Sequence, residues 1–313
     1  MRISNFILGG KKVFVIAEIG NNHNGSLELA LEMVDAANEA GADCVKFQMR
    51  NMASVYRKKS LAKQGEDLGT EYVLDLLERF QLSQSEHKQV AQYCEDKGIL
   101  YMCTPWDSDS VVALEALDVK AYKVASADLT NLPLIANLIA TQKPIILSTG
   151  MSSVDEIQIT TDFLNSRSAE FVLLHCNSTY PAPFHDINLN WITKLKEIHP
   201  LVGYSGHERG IAVTLAAVGL GAKVVERHFT FDRNMEGPDH AASLEQDEFK
   251  ALVSGIREIE EALGDGLERT ISQGEMINRE NLAKSLVASQ DIVKGTVIEP
   301  QHLSVLSPGQ GLS

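Results

Sequence analysis

Apolar residues recur along the first 263 positions in two kinds of run, and the two kinds alternate. Short, β-branched or aliphatic runs lie at 13–19 (VFVIAEI), 43–49 (DCVKFQM), 99–103, 121–125, 144–147, 171–175, 201–204 and 223–228. Their length and composition predict strands. Longer segments with apolar residues three and four apart lie at 26–40, 72–80, 85–97, 108–117, 132–141, 154–166, 191–199, 211–220 and 246–263, and predict helices. In the first of these Leu27, Ala30, Leu31 and Val34 share a face, Ser26 stands where it can cap, and Gly41 stops the run. A polar loop over roughly 50–69, with Arg-Lys-Lys-Ser inside it, follows the second strand.

Strands that alternate with helices demand a parallel sheet. Eight such units within 264 residues predict a TIM (β/α)8 barrel. A doubly wound open sheet is the alternative. It would show fewer strands and often a Gly-rich phosphate turn after the first, where this chain has GNNHNG without GxGxxG. The texture changes after 264. We read 1–264 as the barrel domain, polar 265–283 as a linker, and 284–313 as a small module or a fragment of one, in which VKGTVIEP is a turn between short strands.

The strand ends carry the candidate chemistry. Residues two apart on a strand share a face, so Ser205 with His207, and Glu226 with His228, each project one way from a strand end. Glu18, Lys46 with Gln48, Thr104, Lys123 with Ser126 and Asp128, Ser148 with Thr149, and His175 with Asn177, Ser178 and Tyr180 stand at the C-terminal ends of the other six. In a barrel that rim is the active-site face. Lys46 and Lys123 have apolar neighbours, and a buried ammonium is costly without an anion. With Ser and Thr hydroxyls they predict a pocket for a phosphate or carboxylate. A Schiff-base lysine is the alternative. His207 and His228, at the ends of adjacent strands, suit a borderline divalent ion such as Mn²⁺, Co²⁺ or Zn²⁺. A catalytic or core His pair without metal is the other reading. Glu226 could orient a ligand from behind, and Asp239, in a Gly-Pro loop beyond the last strand, could reach over the rim.

Bulk properties exclude some classes. The net charge of -14 argues against a nucleic-acid partner. No apolar run approaches the ~20 residues that span a bilayer. The N-terminal MRISNFILGGKK lacks a basic-then-apolar signal pattern. Cys44, Cys94, Cys103 and Cys176 show no CxxC spacing and read as small buried hydrophobes, compatible with a reducing compartment. The expectation is a cytoplasmic protein with neither membrane nor nucleic-acid partner.

In order along the chain stand AEIGNNHNG, VKFQ, TPWD, YKVAS, STGM, HCNSTYPAP, GYSGH, ERHFT and GPDHAAS. This series resembles the N-acetylneuraminate (sialic acid) synthase family, including legionaminic/pseudaminic acid synthase-like and spore coat polysaccharide synthase-like members. AKSLVASQDIVKGTVIEPQHLSVLSPGQG resembles the start of that family's antifreeze-like (SAF) module, here truncated or reduced. The resemblance implies a homodimeric, PEP-dependent transferase. It condenses phosphoenolpyruvate (PEP) with a sugar aldehyde to a nine-carbon 2-keto-3-deoxy acid and phosphate. It implies that Lys46, Thr104, Lys123, Ser148, Ser178 and Ser205 hold PEP. Glu18, Gln48, Asp128, Tyr180 and Asp239 would meet the sugar, with Glu18, Asp239, Lys46 and Lys123 as catalytic groups. His207 and His228 would bind a divalent metal, typically Mn²⁺ (manganese), with Mg²⁺ or Co²⁺ as alternatives. Two departures bear on the sugar. Neuraminate members carry Glu at the Asp128 position, and an Arg before Pro-Gly where this chain has Ser307. They shift the implied aldose from N-acetylmannosamine toward a 2,4-diacetamido hexose or another aldose. Rival readings are an eight-carbon keto-deoxy acid phosphate synthase, a metal-dependent aldolase or isomerase without PEP, and a non-catalytic barrel.

Overall fold

The computed structural model describes residues 1–56 and 74–313, which form two compact units, Met1–Leu263 and Gly264–Ser313. The Arg-Lys-Lys-Ser stretch and the start of the helix expected over 72–80 lie outside the described residues.

The first unit opens with a hairpin, β1 (Arg2–Ile3) and β2 (Phe6–Ile7). Eight strands follow: β3 (Phe14–Gly20), β4 (Cys44–Met49), β5 (Leu100–Pro105), β6 (Tyr122–Val124), β7 (Ile145–Ser148), β8 (Phe171–Cys176), β9 (Val202–Gly206) and β10 (Val224–His228). Every neighbour pairing is parallel, and β10 pairs with both β9 and β3, so the sheet closes. This is the TIM barrel that the alternation predicts.

The helices are α1 (Leu27–Glu39), α2 (Met52–Val55), α3 (Leu74–Arg79), α4 (Gln84–Lys97), α5 (Ser108–Glu115), α6 (Leu132–Ala140), α7 (Val154–Asn165), α8 (Trp191–Ile198), α9 (Ala212–Gly219) and α10 (Gln246–Ala262). Ser26 caps α1 by accepting from the Leu29 amide at 3.2 Å, as expected. Helix α2 falls inside the segment expected to be loop. Its four residues are too few to show a helical period, although Asn51 caps it.

Period-two alternation sorts each strand into two faces. Outward residues such as Val15, Ala17, Val45, Phe47 and Val225 pack on the helices in one large apolar cluster. Inward residues Phe14, Ile16, Cys44, Met102, Ala121, Ile146, Val172, Leu174 and Val224 fill the barrel together with Ile3 and Leu8 of the hairpin segment. The hairpin therefore plugs the N-terminal end, and Phe6 meets Phe14 edge-on with ring centroids 4.9 Å apart. Gly203 makes this filling possible: a Cβ there would lie 2.4 Å from the Val224 carbonyl oxygen. Each inward column begins apolar and ends polar, as in Phe14–Ile16–Glu18 and Val224–Glu226–His228.

The second unit holds helix α11 (Gln273–Leu282) and the antiparallel pair β11 (Ser285–Ala288) and β12 (Leu303–Leu306). Residues 265–283 are thus not a plain linker. Ser272 and Glu275 close a capping box on α11, and the Gly309 amide bonds to the Glu280 carbonyl at 3.0 Å. A turn at 293–296 lies between the two strands as read, but the strands stand farther apart in sequence.

Candidate active site

The polar ends of the inward columns surround one cavity of about 370 Å³ at the C-terminal mouth of the barrel. Glu18, Lys46, Gln48, Thr104, Lys123, Ser148, Ser178, Tyr180, Ser205, His207, His228 and Asp239 all line it. Asp128 does not. It follows β6 in a short 3-10 turn, and Asn131 donates to its Oδ1 at 2.8 Å while Ala125–Ala127 take the wall. His175 faces away from the mouth: its Nε2 lies 2.7 Å from the Ile187 carbonyl. Alternation along β8 turns Cys176 inward instead, so that cysteine is buried as expected but lines the cavity.

A chain of charged contacts crosses the floor. Lys46 Nζ lies 2.8 Å from Glu18 Oε2 and donates to Thr104 Oγ1 at 3.0 Å. Lys123 Nζ donates to Ser148 Oγ at 2.7 Å. Glu226 Oε1 stands between the two ammoniums, 3.7 Å from Lys46 and 3.8 Å from Lys123, and accepts from Ser205 Oγ at 3.2 Å. The two buried lysines thus have protein counter-ions as well as hydroxyl partners. Glu226 is the centre of the floor rather than a support behind it, and two carboxylates offset two ammoniums.

The balance is uneven between the carboxyls. Burial pushes Glu18 up to about 7 against the pull of Lys46, with the Glu226 charge adding to the rise. Burial also pushes Glu226 upward, but Lys123 and Lys46 outweigh it and hold the group below its ordinary value. Near neutral pH one proton therefore comes and goes at Glu18 while both lysines stay close. With that proton on, the floor carries a net positive charge that an anion can match. Gln48 fixes the free side of Glu18: its Nε2 donates to Glu18 Oε1 at 2.9 Å, and Arg50 donates to its Oε1.

The histidines form the other wall. The rings of His207 and His228 are 5.3 Å apart between centroids, and Tyr180 stacks on His207 at 4.0 Å. His207 Nδ1 lies 2.6 Å from the Asn177 carbonyl oxygen. A carbonyl only accepts, so Nδ1 carries a hydrogen, and in the neutral ring Nε2 keeps a lone pair. That is the tautomer a ligating histidine adopts when a backbone carbonyl orients it. His228 is held well below its ordinary value by burial and by the nearby His207, and is neutral. Its Nδ1 and Asp239 Oδ2 lie 3.9 Å apart, and both are buried without hydrogen-bond partners. These orphaned atoms and the His207 tautomer fit a divalent cation. Among the described residues no three His, Cys, Asp or Glu side chains group to hold an ion alone.

Several lining residues were not foreseen. Trp106 follows strand-end Thr104 by two positions, a spacing that alternation could have flagged. Tyr56 lies in the polar loop and Met151 in the STGM turn, where no periodicity points to a face. Gly150 brings that turn close: a Cβ would meet Ser178 Oγ at 2.3 Å.

Comparison with known proteins agrees with this barrel. The chain matches the NeuB family over residues 33–268. It is 41% identical over 310 residues to N,N'-diacetyllegionaminic acid synthase of Campylobacter jejuni, covering 97% of this chain and 92% of that one. It is 36% identical over 302 residues to human N-acetylneuraminate-9-phosphate synthase, covering 95% and 84%. The solved structure of N-acetylneuraminic acid (sialic acid) synthetase from Leptospira borgpetersenii superposes with a TM-score of 0.80 at 34% identity, covering 89% of this chain and 95% of that one. The chain belongs to the NeuB family and is an enzyme of the sialic acid synthase class.

Proposed function

We propose that the chain condenses phosphoenolpyruvate with a sugar aldehyde, giving a nine-carbon 2-keto-3-deoxy acid and inorganic phosphate. The observation that carries this reading is the cavity's polar lining. Lys46, Lys123, Thr104, Ser148 and Ser178 bring ammoniums and hydroxyls from β4 to β8 and the turns after them, and Ser205, His207, His228 and Asp239 come from β9, β10 and the loops beyond. The first set suits the phosphate and carboxylate of PEP. A divalent cation, Mn²⁺ before Mg²⁺ or Co²⁺, held by His207 and His228 would act as a Lewis acid on the aldehyde carbonyl.

In this reading carbon 3 of PEP forms a bond to the aldehyde carbon, and the former carbonyl oxygen takes a proton. Water adds at carbon 2, and the bond from carbon 2 to the phosphate oxygen breaks. Glu18, poised at about 7, and buried Asp239 are the groups placed to exchange protons and hold sugar hydroxyls. Glu226 keeps both ammoniums in place. Trp106, Tyr56, Met151, Ala125 and Ala127 add an apolar wall, which suits acetamido or deoxy substituents on the sugar. The similarity to the legionaminic acid synthases supports a 2,4-diacetamido hexose as the aldose.

The test is phosphate release from PEP over a panel of aldoses, with and without rigorous chelation. A 2,4-diacetamido hexose should trigger release, chelation should stop it, and Mn²⁺ should restore it. Sugar consumption without phosphate release would instead assign an aldolase. Undiminished turnover after chelation would remove the metal from this reading.

A further inference from the structure

The GNNHNG turn at the end of β3 begins two residues after Glu18, yet Asn21, Asn22, His23 and Asn24 do not line the cavity. Their polar groups go elsewhere. Asn22, 1% exposed, donates through Nδ2 to the Phe229 carbonyl at 2.8 Å and to Ser243 Oγ at 2.9 Å. Ser243 Oγ in turn donates to the Asp239 carbonyl at 2.7 Å. Asn24 Nδ2 donates to the Glu236 carbonyl at 3.1 Å, and its Oδ1 lies 3.1 Å from His240 Nε2. An amide oxygen only accepts, so His240 donates there, while its Nδ1 lies 2.8 Å from Thr230 Oγ1. Gly237 lets the segment fold tightly on this histidine, since a Cβ would come within 2.8 Å of the ring.

Apart from the Asn22–Phe229 bond, these bonds converge on residues 236–243, the loop that carries Asp239 beyond the last barrel strand. The Asp239 backbone is tied down on both sides. Its carboxylate is not: Oδ2 is buried in the cavity wall with no hydrogen-bond partner. The position of that carboxylate is therefore set through the backbone, and the backbone is held by the turn after β3. We infer that Asn22 and Asn24 are positioning residues that clamp the 236–243 segment and so hold the Asp239 carboxylate in the active site. They act through Asp239 and touch no reacting atom. The clamp also ties the end of β10 to the end of β3, the two strands at which the barrel closes.

This inference uses the reading that Asp239 works on the sugar, so the test has one arm that does not. Asn24 is only partly buried and holds φ at +49°, a left-handed conformation that Ala would strain, so Asn24→Gly is the change that removes the side chain alone. In hydrogen–deuterium exchange, Asn24→Gly should speed exchange over 229–244 and leave strands β4 to β8 unchanged. Unchanged exchange at 229–244 overturns the clamp whatever the enzyme's reaction. In the kinetic arm, Asn24→Gly should lower kcat/KM for the aldose roughly tenfold, the upper end for a lost hydrogen bond, with KM for PEP within about twofold. In an Asp239→Ala background the same change should cost nothing more, and Asn24→Asp, which keeps the acceptor for His240, should recover part of the loss. An equal loss in both backgrounds means that Asn24 acts independently of Asp239, and overturns the inference. Wild-type protein that releases no phosphate with any aldose would sink the proposed reaction while the exchange arm still decides the clamp.

Discussion

Lys123 shows how much one inward side chain does. Its ammonium is buried, donates to Ser148, and shares Glu226 with Lys46. Burial holds it below its ordinary value, against the pull of Glu226. Lys123→Met keeps the stem and removes the charge. If this group holds PEP, KM for PEP should rise at least about tenfold, because a charged hydrogen bond contributes about 1.5–3 kcal/mol. KM for the aldose should stay within about twofold, and steady-state titration of each substrate measures both. Equal rises would contradict the placement. At this scale the sequence was informative wherever alternation along a strand decides direction. Lys46, Gln48, Ser205, His207, Glu226 and His228 could be read that way. It was uninformative just past the strand ends, where no period operates. Asp128 falls outside the cavity because β6 stops at Val124 and a 3-10 turn carries the chain on. Glu226 was undervalued because its two partners come from other strands, which no local pattern reveals.

Between elements, the loop after β9 and strand β10 are joined by an ion pair on the outer face of the barrel. Arg227 and Glu208 are both 0% exposed at the side chain and 3.0 Å apart. Tyr204 and Thr214 donate to the Glu208 carboxylate at 2.7 and 2.9 Å, and Arg227 also donates to the Gly210 and Glu208 carbonyls. Glu208 follows His207 and Arg227 precedes His228, so one buried pair backs both histidines from outside the cavity. Glu208→Ala would strand a buried guanidinium and should destabilise the barrel by about 3–5 kcal/mol. Urea unfolding measures this, and a loss under about 1 kcal/mol would show that the pair is not what fastens the loop. Element existence was legible because each barrel helix shows an apolar stripe and a stop. The short pieces were not: β1 and β2 have two residues each, and α11 was hidden in a polar stretch whose only signal is the Ser272–Glu275 box.

For the whole barrel, buried imidazoles make stability depend on pH. Burial lowers His23 to about 3 and His87 to about 4, and likewise lowers His240 to about 4. In the unfolded chain all three take protons near 6.5, whereas the folded barrel refuses them. Their contribution is fully present above pH 6.5 and drains away as pH falls toward 4. Glu18 works in the opposite sense, gaining its proton in the folded state near 7. Asp43, Asp128, Asp239 and His207 are raised as well, but His175, His199 and His228 join the lowered imidazoles. Six imidazoles have their ordinary 6.5 inside this window while the aspartates' ordinary values lie below it, so the urea midpoint should fall between pH 7 and pH 5. A flat or rising midpoint would contradict this balance. The inward columns carry one more consequence. Each changes character at a single level, with a dry plug of hairpin and strand residues below and chemistry above. Folding and substrate choice are therefore written in different residues of the same strands. A library restricted to Ala125, Ala127 and Met151 would vary the apolar wall without touching a buried charge, whereas Tyr56 and Trp106 both contact buried Arg50. Retailoring this barrel for another substrate is a surface problem on the inside of a solid.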